Sequence, residues 1–143
     1  MIYSGACHCG AVSAEYETDA PVRLRQDGCS FCSSRGVKSA SDANGRLALN
    51  ATHKLTRYRF GQKTADFLVC PICGTYVGSM MLGPNGPVGV INVVGLRVAE
   101  LKDEPAELKS LEGESPEERN ARRLSRWTPL ILVEGTLTEG RAP

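Results

Sequence analysis

The chain has no apolar run long enough to cross a bilayer. Its longest, around Val88 to Leu96, is interrupted by Gly89, Asn92 and Gly95, whereas a spanning helix needs about 20 consecutive apolar residues. Charge of one sign is also missing. Lys and Arg number 17 against 16 Asp and Glu, a formal net charge of +1, so the basic footprint that binds phosphate backbones is absent. Neither nucleic acid nor a membrane is an expected partner. The N-terminus lacks a basic segment followed by an apolar one, so no signal peptide is read and the expected location is the cytoplasm. Finally, no cysteine stands outside a close pair: the six fall as Cys7 and Cys9, Cys29 and Cys32, and Cys70 and Cys73.

What is present is the composition of a globular protein. At 143 residues, 41% hydrophobic and 23% charged, the chain is expected to form one domain, 1–143, with a modest core. Val12, Ala14 and Tyr16 alternate with Ser13, Glu15 and Glu17, the period-two pattern of a strand with one wet face. Further strand segments start at Leu47 and Leu49 and cover Thr56–Phe60, Asp66–Val69 and Thr75–Met81, with Val88–Val94 as a central strand. Gly83 to Pro87 reads as a turn. Near the C-terminus, Ser115-Pro116-Glu117-Glu118 combines an N-cap serine, proline at the first helical position and a glutamate that completes a capping box. A helix is expected from there to about Arg126, ending before Pro129. Its arginines are read as a solvated face, and Leu130 to Leu137 as a last strand. The fold class is mainly β, antiparallel, with a short C-terminal helix.

The cysteine pairs carry the chemistry. Cys70-Pro71-Ile72-Cys73-Gly74 has the spacing of a zinc knuckle: two residues between thiols and a following glycine let the chain turn so that both sulfurs face one ion. Cys7-His8-Cys9-Gly10 is a tighter hook, because residues two apart on an extended chain point to one side. Together Cys7, Cys9, Cys70 and Cys73 make a four-cysteine zinc site. Closed tetrahedral coordination makes it structural and leaves His8 a non-ligand. Cys29-Ser30-Phe31-Cys32 has no second pair to complete it. Asp27, two residues before Cys29, repeats the hook with a carboxylate, so Asp27, Cys29 and Cys32 form a candidate three-ligand catalytic zinc with one open position. A redox dithiol and a pair of ordinary buried cysteines are the alternatives. A secreted three-disulfide scaffold fits poorly with the absent export signal and a chain long enough to build a core.

The order and spacing of these pairs, Gly5-x-Cys7-x-Cys9-Gly10, Cys29-Ser30-x-Cys32 with Gly36, and Cys70-x-x-Cys73-Gly74, resemble the glutathione-dependent formaldehyde-activating enzyme family, which includes centromere protein V. Ile91-Asn92-Val93-Val94-Gly95-Leu96 looks like the strand after that family's last zinc pair. The resemblance spans roughly Tyr3 to Leu96. It implies a tent-shaped β fold, a structural zinc on the outer four cysteines and a catalytic zinc on a central Cys-x-Cys-x-x-Cys. Here Asp27 and Gly28 stand in place of the usual Cys-His. The implied activity is that of a carbon–sulfur lyase on S-hydroxymethylglutathione, with glutathione and formaldehyde as small-molecule partners. Arg25, Arg35 and Lys38 are the cations expected to steer the anionic thiol. A non-enzymatic zinc-stabilised β-tent binding module is the other class the residues allow. A methionine sulfoxide reductase is not, since no cysteine follows Cys73 to serve as its nucleophile.

Overall fold

The computed structural model describes residues 1–110 and 113–137; the remaining positions of the expected domain lie outside the described residues. The chain runs through β1 (Ile2–Ala6), β2 (Val12–Glu17), β3 (Leu24–Asp27), α1 (Ser30–Ser33), β4 (Ser39–Ala40), β5 (Arg46–His53) and β6 (Thr56–Tyr58). It continues through β7 (Asp66–Val69), β8 (Tyr76–Gly83), β9 (Gly86–Asn92), β10 (Ala106–Lys109), α2 (Pro116–Arg126) and β11 (Thr128–Leu137). The protein is mainly β with a short C-terminal helix, as the alternating pattern implies. In β2 the alternation is complete: Val12, Ala14 and Tyr16 are buried and the residues between them exposed. None of the described helices is long and apolar enough to cross a membrane.

The strands form one sheet that divides at β9. One path runs β1-β2-β5-β11-β9-β4-β3-β10, and β8, β7 and β6 branch from it. Along one edge β9 pairs with β8 from Gly86 to Ile91. Its other edge is shared, first with Thr128 and Pro129 of β11 and then with Ser39 and Ala40 of β4. Such double service requires burial on both faces, which is why this strand reads as a nearly unbroken apolar run. Two pairings depart from the antiparallel expectation: β11 lies parallel to β5, and β10 parallel to β3. The expected turn at Gly83 to Pro87 narrows to Pro84 and Asn85, since Gly83 and Gly86 already pair across the hairpin. The main core gathers Val12, Leu47, Leu49, Leu68, Val77, Ile91 and Leu96, with Cys7 and Cys70 inside it.

The helix begins as its capping box requires. The Glu118 backbone N–H donates to Ser115 Oγ at 3.1 Å, and the Ser115 N–H to Glu118 Oε1 at 3.1 Å. It ends at Arg126, ahead of Pro129.

The branch depends on close backbone approach. A Cβ on Gly78 would collide with the Val90 carbonyl oxygen across the β8–β9 ladder, whereas one on Gly28 would sit 3.7 Å from the Lys109 oxygen. Gly78→Ala should therefore lower unfolding free energy by about 1–3 kcal/mol, the usual cost of overpacking, and Gly28→Ala by less than about 0.5 kcal/mol. Urea denaturation of the two variants checks this; equal stabilities would contradict the described register.

Candidate metal centre and its cavity

Two tight loops build the metal centre. Between β1 and β2, the Gly10 N–H donates to the Cys7 carbonyl at 2.9 Å and the Cys7 N–H to the Val12 carbonyl at 2.9 Å. Between β7 and β8, the Gly74 N–H donates to the Cys70 carbonyl and the Cys70 N–H to the Thr75 carbonyl, both at 2.9 Å. Gly10 and Gly74 have φ of 82° and 76°, a left-handed conformation that only glycine adopts without strain. The glycine after each pair is thus what turns the chain back. Arg97 straps the first loop: its guanidinium donates to the carbonyls of Ala6 at 3.1 Å and Cys7 at 2.9 Å.

All four sulfurs of Cys7, Cys9, Cys70 and Cys73 lie within 4.8 Å of one another. The Cys7–Cys9 and Cys9–Cys70 separations are 3.7 Å and 3.6 Å. Ligand bonds of about 2.3 Å in a tetrahedron give edges of about 3.8 Å, so the four cysteines are positioned to bind a metal ion. Backbone N–H groups of Val12 and Ala11 approach the Cys7 and Cys9 sulfurs at 3.3 Å and 3.5 Å, the outer hydrogen bonding that supports thiolate ligands. Burial pushes the Cys70 thiol up to about 12. At Cys73 burial acts in the same direction, but hydrogen bonding from Thr75 and the Cys9 backbone outweighs it and brings the thiol down to about 6. His8 is exposed and outside the cluster.

The central pair sits elsewhere. Asp27, Cys29 and Cys32 all line one wall of a cavity of about 160 Å³. Among the described residues, however, only the outer four cysteines form a group of three or more ligand atoms this close together. The expected three-ligand set of Asp27, Cys29 and Cys32 is therefore not gathered. The reason is local: the rule that residues two apart share a side holds only along a strand, and β3 stops at Asp27. Gly28 continues the ladder with β10, donating its N–H to the Lys109 carbonyl at 3.1 Å, and Cys29 becomes the N-cap of α1. Burial raises the Cys32 thiol well above the ordinary range, with Cys29 and Asp27 adding to the effect, so this sulfur keeps its proton at neutral pH.

The cavity has two kinds of wall. Phe60, Phe67, Tyr76 and Trp127 supply aromatic surface, continuous with Phe31, whose ring centroid lies 5.3 Å from Phe60 and 5.1 Å from Tyr76. The same cavity is lined by Arg119, Arg122, Arg123 and Arg126 of α2 and by Arg25 of β3, with Arg123 beside the Trp127 ring. This corrects the reading of the helix arginines as a solvated face. They stand at positions i, i+3, i+4 and i+7, a single helical stripe, and that spacing was the signal in the sequence. Two of them are neutralised, since Glu114 accepts from Arg122 at 2.8 Å and 3.0 Å and from Arg119 at 3.4 Å. Of the expected steering cations, only Arg25 reaches the cavity. Arg35 caps the Phe31 carbonyl at 3.0 Å and lies over its ring, while Lys38 donates to the carbonyls of Lys102 and Glu104.

Fold and site together define a mainly β protein with four cysteines positioned to bind a metal ion and a Cys-x-x-Cys pair that opens into an arginine-lined cavity. The chain belongs to the glutathione-dependent formaldehyde-activating enzyme family, whose model matches residues 2–110. It is also similar to a crystal structure of a Rhodobacter sphaeroides protein, at 30% sequence identity and a TM-score of 0.58, over 74% of this chain and 99% of that one. Among curated proteins none matches. The family match ends before α2 and β11, so the arginine stripe is contributed by sequence beyond it.

Because the four-cysteine cluster joins distant loops, Cys70→Ser should lose the bound metal and several kcal/mol of stability, in keeping with the coupling of structural metal binding to folding. Elemental analysis and thermal unfolding check this. Full metal content at native melting temperature would contradict it.

Proposed function

We propose that the protein is a carbon–sulfur lyase acting on S-hydroxymethylglutathione or a closely related thiol adduct, with a structural zinc on Cys7, Cys9, Cys70 and Cys73. The observation that carries this reading is the family's cysteine framework folded so that its central pair opens into a single cavity. Four thiolates are the donor set of structural zinc, and a closed shell leaves that ion no open position for substrate. The chemistry then belongs to the cavity.

Asp27, Cys29 and Cys32 share the cavity, but their ligand atoms are not drawn as close together as those of the outer four cysteines. No step is therefore assigned to a second ion. The residues themselves supply a neutral hydrogen-bond donor at Cys32 Sγ and a carboxylate acceptor at Asp27, on one wall. In an adduct RS–CH2–OH lying against them, the hydroxyl proton passes to the Asp27 carboxylate as the carbon–oxygen double bond forms and the carbon–sulfur bond breaks, and the same proton is returned to the leaving sulfur, giving thiol and formaldehyde. Phe60, Phe67 and Tyr76 exclude water from the reacting carbon, and exclusion of water strengthens each polar contact there. The incomplete second ligand set also favours a second reading, a binding module that holds the adduct without turning it over.

Exchange NMR on formaldehyde, glutathione and their hemithioacetal tests the proposal. The protein should accelerate exchange, and Cys32→Ala should slow it at least about tenfold, within the range for a lost proton-handling group. Zinc content should be about one ion per chain in the wild type and in Asp27→Ala alike. Unaccelerated exchange in the zinc-loaded protein would leave the binding module, and a second equivalent lost on Asp27→Ala would restore a two-metal site.

A further inference from the structure

The cationic wall of the cavity is out of balance. Arg25, Arg123 and Arg126 line it, and among the described residues none of the three has a carboxylate within ion-pair distance, although Glu114 serves their neighbours Arg119 and Arg122. Arg123 is only 8% exposed. Its Nη1 donates to Thr64 Oγ1 at 2.7 Å and its guanidinium lies 4.9 Å from the centre of the Trp127 ring, yet its buried Nε has no hydrogen-bond partner. Leaving a charged donor buried and unpaired is costly. Burial lowers the Arg123 guanidinium to about 10, with repulsion from Arg122 and Arg119 adding to it; burial lowers Arg25 as well, with Arg126 and Arg122 adding and Asp27 partly offsetting the effect on both. Several cations held together with donors to spare form an incomplete arrangement, and an oxyanion completes it.

We infer that Arg123, Arg25 and Arg126 form an oxyanion subsite of the cavity, which selects ligands carrying a carboxylate beyond the reacting sulfur. The inference rests on the proposed function for the kind of ligand, a thiol peptide adduct. The planar guanidinium matches a carboxylate with paired hydrogen bonds. Arg123 offers the unpartnered Nε, Arg126 an exposed side chain at the rim, and Arg25 a third positive charge from β3, its Nη2 held by Ser41 Oγ at 2.7 Å. Cys29 and Cys32 line the same cavity, so a ligand anchored at its carboxylate by α2 presents its sulfur end to the thiol wall. Of the three arginines, Arg25 lies within the matched family region, and Arg123 and Arg126 of α2 lie beyond it.

Trp127, the single tryptophan of the chain, belongs to the cavity wall beside Arg123, so its fluorescence reports occupancy directly. S-methylglutathione, a non-reactive adduct analogue, should change the emission saturably in the zinc-loaded protein, with affinity falling as salt rises. Esterifying its carboxylates should weaken binding about tenfold or more, the scale of a lost charge-assisted pair. Arg126→Gln, at an exposed position, should fold normally and weaken the analogue several-fold with little effect on the ester. Arg123→Lys, which keeps the charge and removes the fork, should weaken it further. Equal binding of acid and ester, or unchanged binding in both variants, would overturn the subsite. Inorganic phosphate binding as tightly as the analogue would also overturn the carboxylate assignment. Binding by a non-reactive analogue is independent of turnover: loss of lyase activity leaves the subsite standing, and loss of the subsite leaves the carbon–sulfur chemistry to stand on its own exchange measurement.

Discussion

Everything in this fold hangs from the meeting of four sulfurs. Cys7 and Cys9 lie on the loop between the first two strands, Cys70 and Cys73 on the loop between β7 and β8, so the cluster joins a strand pair at the start of the sheet path to the branch that leaves β9. Cys7 and Cys70 are buried in the principal core. Four thiols in such proximity do not ionise together without a cation, because each thiolate opposes the next. An ion at their centre removes that conflict and makes the loops a clip between the sheet's two arms, which already share the main core.

The cavity benefits from this rigidity. Its floor and walls come from β3, α1, β7, β8 and β9, while α2 and Trp127 close one side. A single wall of rings would bind apolar ligands indiscriminately, and a single wall of arginines would bind any anion. Brought together around one small space, they favour a molecule with an apolar or polarisable reacting end and a charged tail. Thiol adducts of peptides have this character, which connects the family's chemistry to the particular charges of this chain.

The sequence made some of this legible because some rules are strictly local. The glycine after each outer pair, the alternation in β2 and the capping box at Ser115 depend on residues within a few positions of one another, and each behaves as its spacing implies. The parallel insertion of β11 beside β5 was not legible, since a strand's pattern tells which face is buried and not which neighbour it meets. Asp27 ends β3 while Cys29 opens α1, so their spacing alone does not say how the two side chains meet. The arginine stripe of α2 was visible as a spacing, but nearby glutamates made it look solvated. Only the position of the helix over the cavity distinguishes Arg123 from a surface charge.

The central claim, that zinc is held by the outer four thiolates alone, is tested most directly by zinc X-ray absorption on the purified protein. One shell of four sulfur scatterers at about 2.3 Å with no light-atom ligand is expected. A mixed shell containing oxygen at about 2.0–2.2 Å would place zinc on Asp27 as well and contradict it.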